Sequence, residues 1–288
     1  VATLPAKRAL SCALAAAICA AGFALPASAS ASKGPGVYRH LGAWVDIYDG
    51  PVLSAAGASV SRMKNKGVET IYIETANYNS STFVNRSGVA HLVELAHNRG
   101  IKVVAWTLPG HFDTADDWAK AKAALHFKTS RGDRFNGFAL DIESTKVGDI
   151  KTRNSRMLAL SRRINKDSSK PLGAITFSPV FINGPWPSFP WGSLKRIYDT
   201  FLPMAYSSYH YNSERSVREY TQKAVKILRQ KTSSGQPIHV IGGIADGMSG
   251  SETRGFVRGV INANVAGGSV YDYRTTAASD WTHLKKIP

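Results

Sequence analysis

Short apolar runs recur along the chain at 41–47, 68–75, 101–108, 137–143, 172–178, 200–207, 238–245 and 268–273. They are rich in Val, Ile, Tyr, Phe and Trp, which predicts strands. Between them lie longer segments, for instance 87–98, 114–130 and 213–231. In the last of these, Val217, Tyr220, Ala224, Ile227 and Leu228 recur at helical spacing. Thr114 with Asp117 has the shape of a capping box, and Ser213 opens another helix. Gly67, Gly100 and Gly235 stand where helix C-caps belong. Eight strand–helix repeats at intervals of roughly 27 to 38 residues predict an α/β fold, a single (β/α)8 or TIM barrel spanning 32–288. An open doubly wound sheet is the alternative, but no Gly-rich phosphate turn follows the first strand. The Pro- and Trp-rich stretch 181–192 is predicted to overhang the barrel mouth.

The most informative run is Asn136-Gly137-Phe138-Ala139-Leu140-Asp141-Ile142-Glu143-Ser144. Side chains alternate across a strand, so Phe138, Leu140 and Ile142 share one face and Ala139, Asp141 and Glu143 the other. The apolar face suits packing against helices. Two acids on the opposite face are costly unless they meet water, metal, a partner or substrate.

Residues 1–31 read as a signal peptide outside this fold. Lys7 and Arg8 precede an Ala-rich apolar run, and Ala27-Ser28-Ala29 resembles a cleavage site. Both cysteines, Cys12 and Cys19, fall inside that leader, so disulfides, thiol catalysis and zinc–thiolate sites are not expected beyond it. No later run is long and apolar enough to span a bilayer. The expectation is a secreted protein without a stable membrane anchor, cell-wall associated or free, and monomeric. The formal charge of +16, or +14 without Lys7 and Arg8, fits attraction to an anionic polymer and equally fits solubility. Its basic residues, Arg153 and Arg156 among them, are scattered over helix faces, and no nucleic-acid motif is expected.

In a (β/α)8 barrel the carboxyl ends of the strands build the active site. The candidates there are Trp44, Asp46 and Asp49; Glu74 and Asn77; Trp106 and His111; Asp141 and Glu143; Thr176 and Ser178; Met204, Tyr206 and Tyr209; Asp246; and Tyr271, Asp272 and Tyr273. Acids mixed with Trp and Tyr suit a sugar. Aromatic faces stack on pyranose rings, carboxylates bond hydroxyls, and a protonated carboxyl donates to the glycosidic oxygen. Any single Trp or Tyr also reads as barrel core. Asp46, Asp49 and Asp246 also read as turn or cap residues, and Glu74 as the partner of a neighbouring cation. His111 and His210 read as surface residues.

The 136–143 run resembles the D-G-x-D-x-D-x-E signature on strand four of family 18 glycoside hydrolases, the chitinase group. Met204-Ala205-Tyr206 is similar to that family's M-x-Y-D element on strand six. The resemblance implies that Glu143 is the general acid/base and that Asp141 orients the substrate's acetamido group. It also implies that Tyr206 holds the acetamido carbonyl as it attacks the anomeric carbon. Asn136 and Ala139 replace the first two aspartates of the signature, Ser207 replaces the aspartate after the tyrosine, and Tyr271 stands where the family usually carries a tryptophan. The Asp141-x-Glu143 pair, with Asp46 ending strand one, also resembles the family 25 muramidases that cut peptidoglycan.

Residues two apart on a strand have Cα atoms roughly 6.6 Å apart. Asp141 and Glu143 thus approach a substrate from one side, which favours retention through an acetamido or a more distant nucleophile over attack by Asp141. The sequence therefore predicts a glycosidase acting on a polysaccharide, such as chitin or peptidoglycan, with Glu143 and Asp141 catalytic. Trp44, Asp46, Glu74, Trp106, Met204, Tyr206, Asp246 and Tyr271 are the predicted substrate contacts, and no cofactor or metal is expected. The rival readings are a non-catalytic glycan-binding barrel and a metal-dependent phosphodiesterase built on Glu74, Asp141 and Glu143.

Overall fold

A computed structural model describes residues 34–288 apart from Tyr209 and Ser234. The leader read at 1–31 and the candidate Tyr209 therefore lie outside the described residues. Eight parallel strands close into a barrel in chain order: β1 (His40–Val45), β2 (Thr70–Asn77), β3 (Lys102–Leu108), β4 (Gly137–Ile142), β5 (Leu172–Phe177), β6 (Thr200–Met204), β7 (His239–Gly243) and β8 (Gly267–Tyr271). Closure is made where His40 and Leu41 pair with Gly267 and Gly268. Around the barrel run α1 (Gly50–Ser54), α2 (Ala56–Asn65), α3 (Arg86–His97), α4 (Thr114–Leu125), α5 (Ile150–Asp167), α6 (Trp191–Leu194), α7 (Glu214–Lys231), α8 (Gly250–Asn262) and α9 (Trp281–Leu284). Among the described residues, no helix is long and apolar enough to cross a membrane.

Strand alternation divides the core into two shells. Phe138, Leu140 and Ile142 of β4 pack outward with Val217, Ala224 and Leu228 of α7 in the shell between sheet and helices. Ala139 faces inward with Tyr38, Trp44, Tyr72, Val104 and Trp106. The barrel's lower end is plugged by a 3-10 turn, Pro35–Tyr38. The Tyr38 hydroxyl donates to the Phe138 carbonyl at 2.7 Å, and Thr70 Oγ1 donates to the Val37 carbonyl at 2.8 Å. Gly173 lets this plug seat, since a Cβ there would lie 2.9 Å from Tyr38 Cε1.

Above Tyr38 an aromatic column rises through the interior. Tyr72 stacks on Trp44 at 4.4 Å between centroids, and Trp106 meets Trp44 edge-on at 5.8 Å. Trp44 Nε1 donates to Ser269 Oγ at 2.7 Å, and Ser269 in turn meets His239 Nε2 at 2.8 Å. His239 Nδ1 donates to the Tyr38 carbonyl at 2.9 Å. Burial pulls the His239 pKa down to about 4, which matches a neutral ring with its proton on Nδ1.

Several local expectations are corrected. Asp113, not Thr114, caps α4, accepting from the Ala115 and Asp116 amides. Asp117 instead turns back to accept from the amides of Gly110 and His111, both at 2.9 Å. Gly67 and Gly100 adopt positive φ after their helices, but α7 is closed by Thr232 rather than Gly235. No residue of the 181–192 stretch lines the mouth cavity. Trp186, Phe189 and Trp191 are buried in the outer shell, and Trp186 Nε1 donates to Asn154 Oδ1 at 2.7 Å. Arg153 is not a solvated helix residue. It is buried, donates to the Val147 carbonyl at 2.7 Å and lies over the Trp186 ring.

Candidate active site

Seven of the eight strands send residues to a cavity of about 340 Å³ at the carboxyl end of the barrel, or flank it from their ends. Its inner wall contains Glu74 from β2, Trp106 from β3, Asp141 from β4 with Glu143 just past its end, and Met204 from β6 with Tyr206 just beyond it. Tyr271 closes the wall from β8, Asn77 ends β2, and Ile244 follows β7. Seven of the ten residues predicted for catalysis or binding thus line one cavity, and Asp46 stands immediately behind it. Asp46 Oδ2 accepts from the Tyr271 hydroxyl at 2.9 Å, and Asp46 Oδ1 accepts from the Tyr48 amide at 2.7 Å.

The carboxyl groups are held in a setting that disfavours their charge. Burial raises the Glu74 pKa to about 7, an effect offset only in part by the Ile47 amide, which donates to Oε2 at 3.1 Å. Glu74 has this backbone donor and Asn77 as neighbours, and among the described residues it forms no ion pair, so the alternative reading of Glu74 as a cation's partner does not hold. Burial likewise pushes Asp141 up, reinforced by the negative charges of Glu143 and Glu74. Glu143 is raised by burial. Tyr206 is held in its neutral form by burial and then by the Glu143 and Asp141 charges, so it is a hydrogen-bond donor to anything bound here. Asp141 Oδ1 and Trp106 Nε1 are both buried without a hydrogen-bond partner among the described residues.

Beside this group, carboxylate oxygens of Asp46, Asp49 and Asp272 lie within 4.8 Å of one another. Arg274 Nε contacts Asp49 Oδ1 at 2.6 Å and brings positive charge to that cluster. Asp49 is pushed up by burial, against the pull of Arg274. Among the described residues, Glu74, Asp141 and Glu143 do not converge as a ligand set of this kind.

Trp44 and Asp246 are not brought to the cavity. Trp44 points into the barrel as Asp46 does, but one layer lower, under Trp106. Asp246 is exposed on the 3-10 turn Ala245–Gly247, and its neighbour Ile244 lines the cavity instead. Thr176 and Ser178 are also elsewhere, Ser178 Oγ accepting from the Tyr220 hydroxyl at 2.9 Å. His111, expected on the surface, is buried against Trp186. Burial, then the Arg153 charge, lowers its pKa to about 4. Tyr48, Tyr78 and Asn79 line the cavity without having been singled out. The signal was an aromatic or amide residue within two positions of Asp46 or Asn77.

The departures from the family 18 signature are now placed. Asn136 sits below the barrel, where its Oδ1 accepts from the Val103 amide at 2.7 Å. Ala139 pairs with Trp106 in the layer under Asp141, so no carboxylate stands there. Ser207 is buried outside the cavity wall, with its amide donating to the Gly243 carbonyl at 2.8 Å.

No protein-family model matches the chain, and no curated protein matches it by sequence. Solved structures match by fold. An endo-β-1,4-mannanase from Thermotoga petrophila superposes with a TM-score of 0.68 at 10% identity, covering 87% of this chain and 76% of that one. A family 18 N-acetylglucosaminidase from Paenibacillus barengoltzii gives 0.60 at 10% identity, covering 86% and 99%. The Bacillus cereus spore cortex-lytic enzyme SleL gives 0.63 at 8% identity, covering 86% and 74%. These neighbours are glycosidases or cortex-lytic enzymes, and the expected resemblance to family 18 barrels is found at the level of the fold.

Proposed function

We propose that this chain is an exported glycoside hydrolase acting on a polysaccharide that contains N-acetylhexosamine, such as chitin or peptidoglycan. The observation that carries the reading is that Glu143, Asp141, Tyr206 and Met204, from two separate motifs, line one cavity at the barrel mouth. In this reading Glu143 is the general acid/base. Its burial favours the protonated form, which donates to the glycosidic oxygen as the bond breaks. Asp141 and Glu74 stand where positive charge develops at the anomeric carbon, and an ionised carboxylate there stabilises it. The neutral Tyr206 hydroxyl donates to the acetamido carbonyl and holds it for attack, so the product retains its anomeric configuration. Trp106 offers its indole N–H and an aromatic edge to the sugar.

The apolar Ala139 beneath Asp141 favours one rival, a barrel that binds glycan without cutting it. Reducing-end release from chitin oligomers, peptidoglycan and acidic polysaccharides separates the two. Release from one substrate that Glu143→Gln abolishes supports the hydrolase. Equal binding by both proteins with no release from any substrate supports the binding barrel.

A further inference from the structure

Glu143 lines two cavities. Besides the deep one it borders an outer pocket of about 250 Å³ formed with Tyr78, Leu108, Ser144, Thr145 and Lys146. Tyr78 and Leu108 are shared between the two, so they make one continuous groove with Glu143 at the junction. The acid of a glycosidase stands beside the bond it breaks, so the two cavities hold the sugars on either side of that bond. Asp141 and Glu74 gather in the deep cavity, where charge at the anomeric carbon needs them. The outer pocket therefore takes the leaving-group side.

The two cavities differ in charge. Glu74, Asp141 and Glu143 line the deep one, with Asp46 behind it, and among the described residues no cation lines it. Lys146 is the one cation lining either, and among the described residues it forms no ion pair. Its Nζ lies 5.6 Å from the Tyr78 ring centroid, and Tyr78 is braced edge-on by Phe112 at 6.2 Å. Gly110 permits that bracing, since a Cβ there would lie 2.4 Å from Phe112 Cε1. A sugar with a carboxylate meets a cation in the outer pocket and only acids in the deep one, so the outer pocket is the one that attracts it. The groove thereby favours one register of an acidic chain.

We propose that the pocket around Lys146 is a leaving-group-side subsite for a sugar bearing a carboxylate, a proposal that rests on Glu143 being the acid. Two sources share that chemistry, the lactyl ether of a muramic residue and the uronic acid of a polyuronide. The test is calorimetric titration of the full chain carrying Glu143→Gln, which prevents turnover. The probes are peptidoglycan glycan oligomers and oligogalacturonates, each with carboxylates free or reduced to alcohols. The free form of one pair should bind at least about ten-fold more tightly than its reduced form, as a charge-assisted contact provides. That pair identifies the source. Adding Lys146→Ala should erase the preference, and Lys146→Arg should restore it. Equal binding of free and reduced forms in both pairs, or a preference that survives Lys146→Ala, would overturn the proposal. A Lys146-dependent preference in a chain whose unsubstituted form releases no reducing ends would support the anion subsite while removing the hydrolytic reading.

Discussion

Tyr271 donates its hydroxyl to Asp46 Oδ2 at 2.9 Å, tying the last strand to the end of the first. The bond does two things at once. It reinforces a closure whose strand register runs through His40–Gly267 and Leu41–Gly268, and it holds the Tyr271 ring against the cavity. Burial, with the Asp46 charge, keeps Tyr271 neutral and able to donate.

Tyr271→Phe keeps the ring and removes the donor. A hydrogen bond to a charged, buried acceptor contributes about 1.5 to 3 kcal/mol. We expect a loss of that order in denaturant unfolding, with the slope of the transition unchanged. A variant as stable as the unsubstituted protein would show that water replaces the hydroxyl without cost.

Glu74 predicts a pH dependence with a defined sign. Its pKa rises from 4.5 to about 7 on folding, so between those values the folded state binds the extra proton. Stability therefore falls as pH rises through that window, by roughly 3 kcal/mol if Glu74 acted alone. Glu74→Gln should flatten this part of the curve and leave the variant more stable than the unsubstituted protein at pH 8. Thermal melts from pH 4 to 8 read it directly, and parallel curves for both proteins would refute the assignment.

Trp44 and Trp106 should separate stability from binding. Trp44 is a floor residue whose indole N–H satisfies Ser269 Oγ at 2.7 Å, whereas Trp106 Nε1 has no partner among the described residues and faces the cavity. Trp44→Phe should cost about 1 to 3 kcal/mol, because it removes buried volume and a buried hydrogen bond, with little change in oligosaccharide affinity. Trp106→Phe should do the reverse. Melts and oligosaccharide titrations on both variants decide it.

The contrast between these two tryptophans also shows what the sequence made legible. Period-two alternation set Phe138, Leu140 and Ile142 outward and Asp141 and Glu143 inward, and the eight apolar runs fall on the eight strands. Alternation carries no depth, however. Trp44 and Asp46 share the inward face of the same strand end, yet one lies in the floor and the other behind the mouth, because depth depends on the stagger between neighbouring strands. Loops were less legible for a related reason. The Pro- and Trp-rich 181–192 stretch folds its aromatics into the outer shell, where Trp186 meets Arg153 and Asn154 of α5. These partners are distant in sequence and carry no local pattern. His111 is hidden from a local reading for the same reason, its burial being set by the distant Trp186.

The central claim is that Glu143 donates the proton to the departing sugar. The most direct measurement compares Glu143→Ala with the unsubstituted protein on aryl N-acetylglucosaminide oligomers of differing leaving group. Dinitrophenolate departs without a proton, whereas a sugar alkoxide or plain phenolate needs one. The account predicts that bond cleavage by Glu143→Ala falls by about 100-fold or more with the poor leaving groups and only slightly with dinitrophenolate. An equal loss across the whole series, or none, would contradict it.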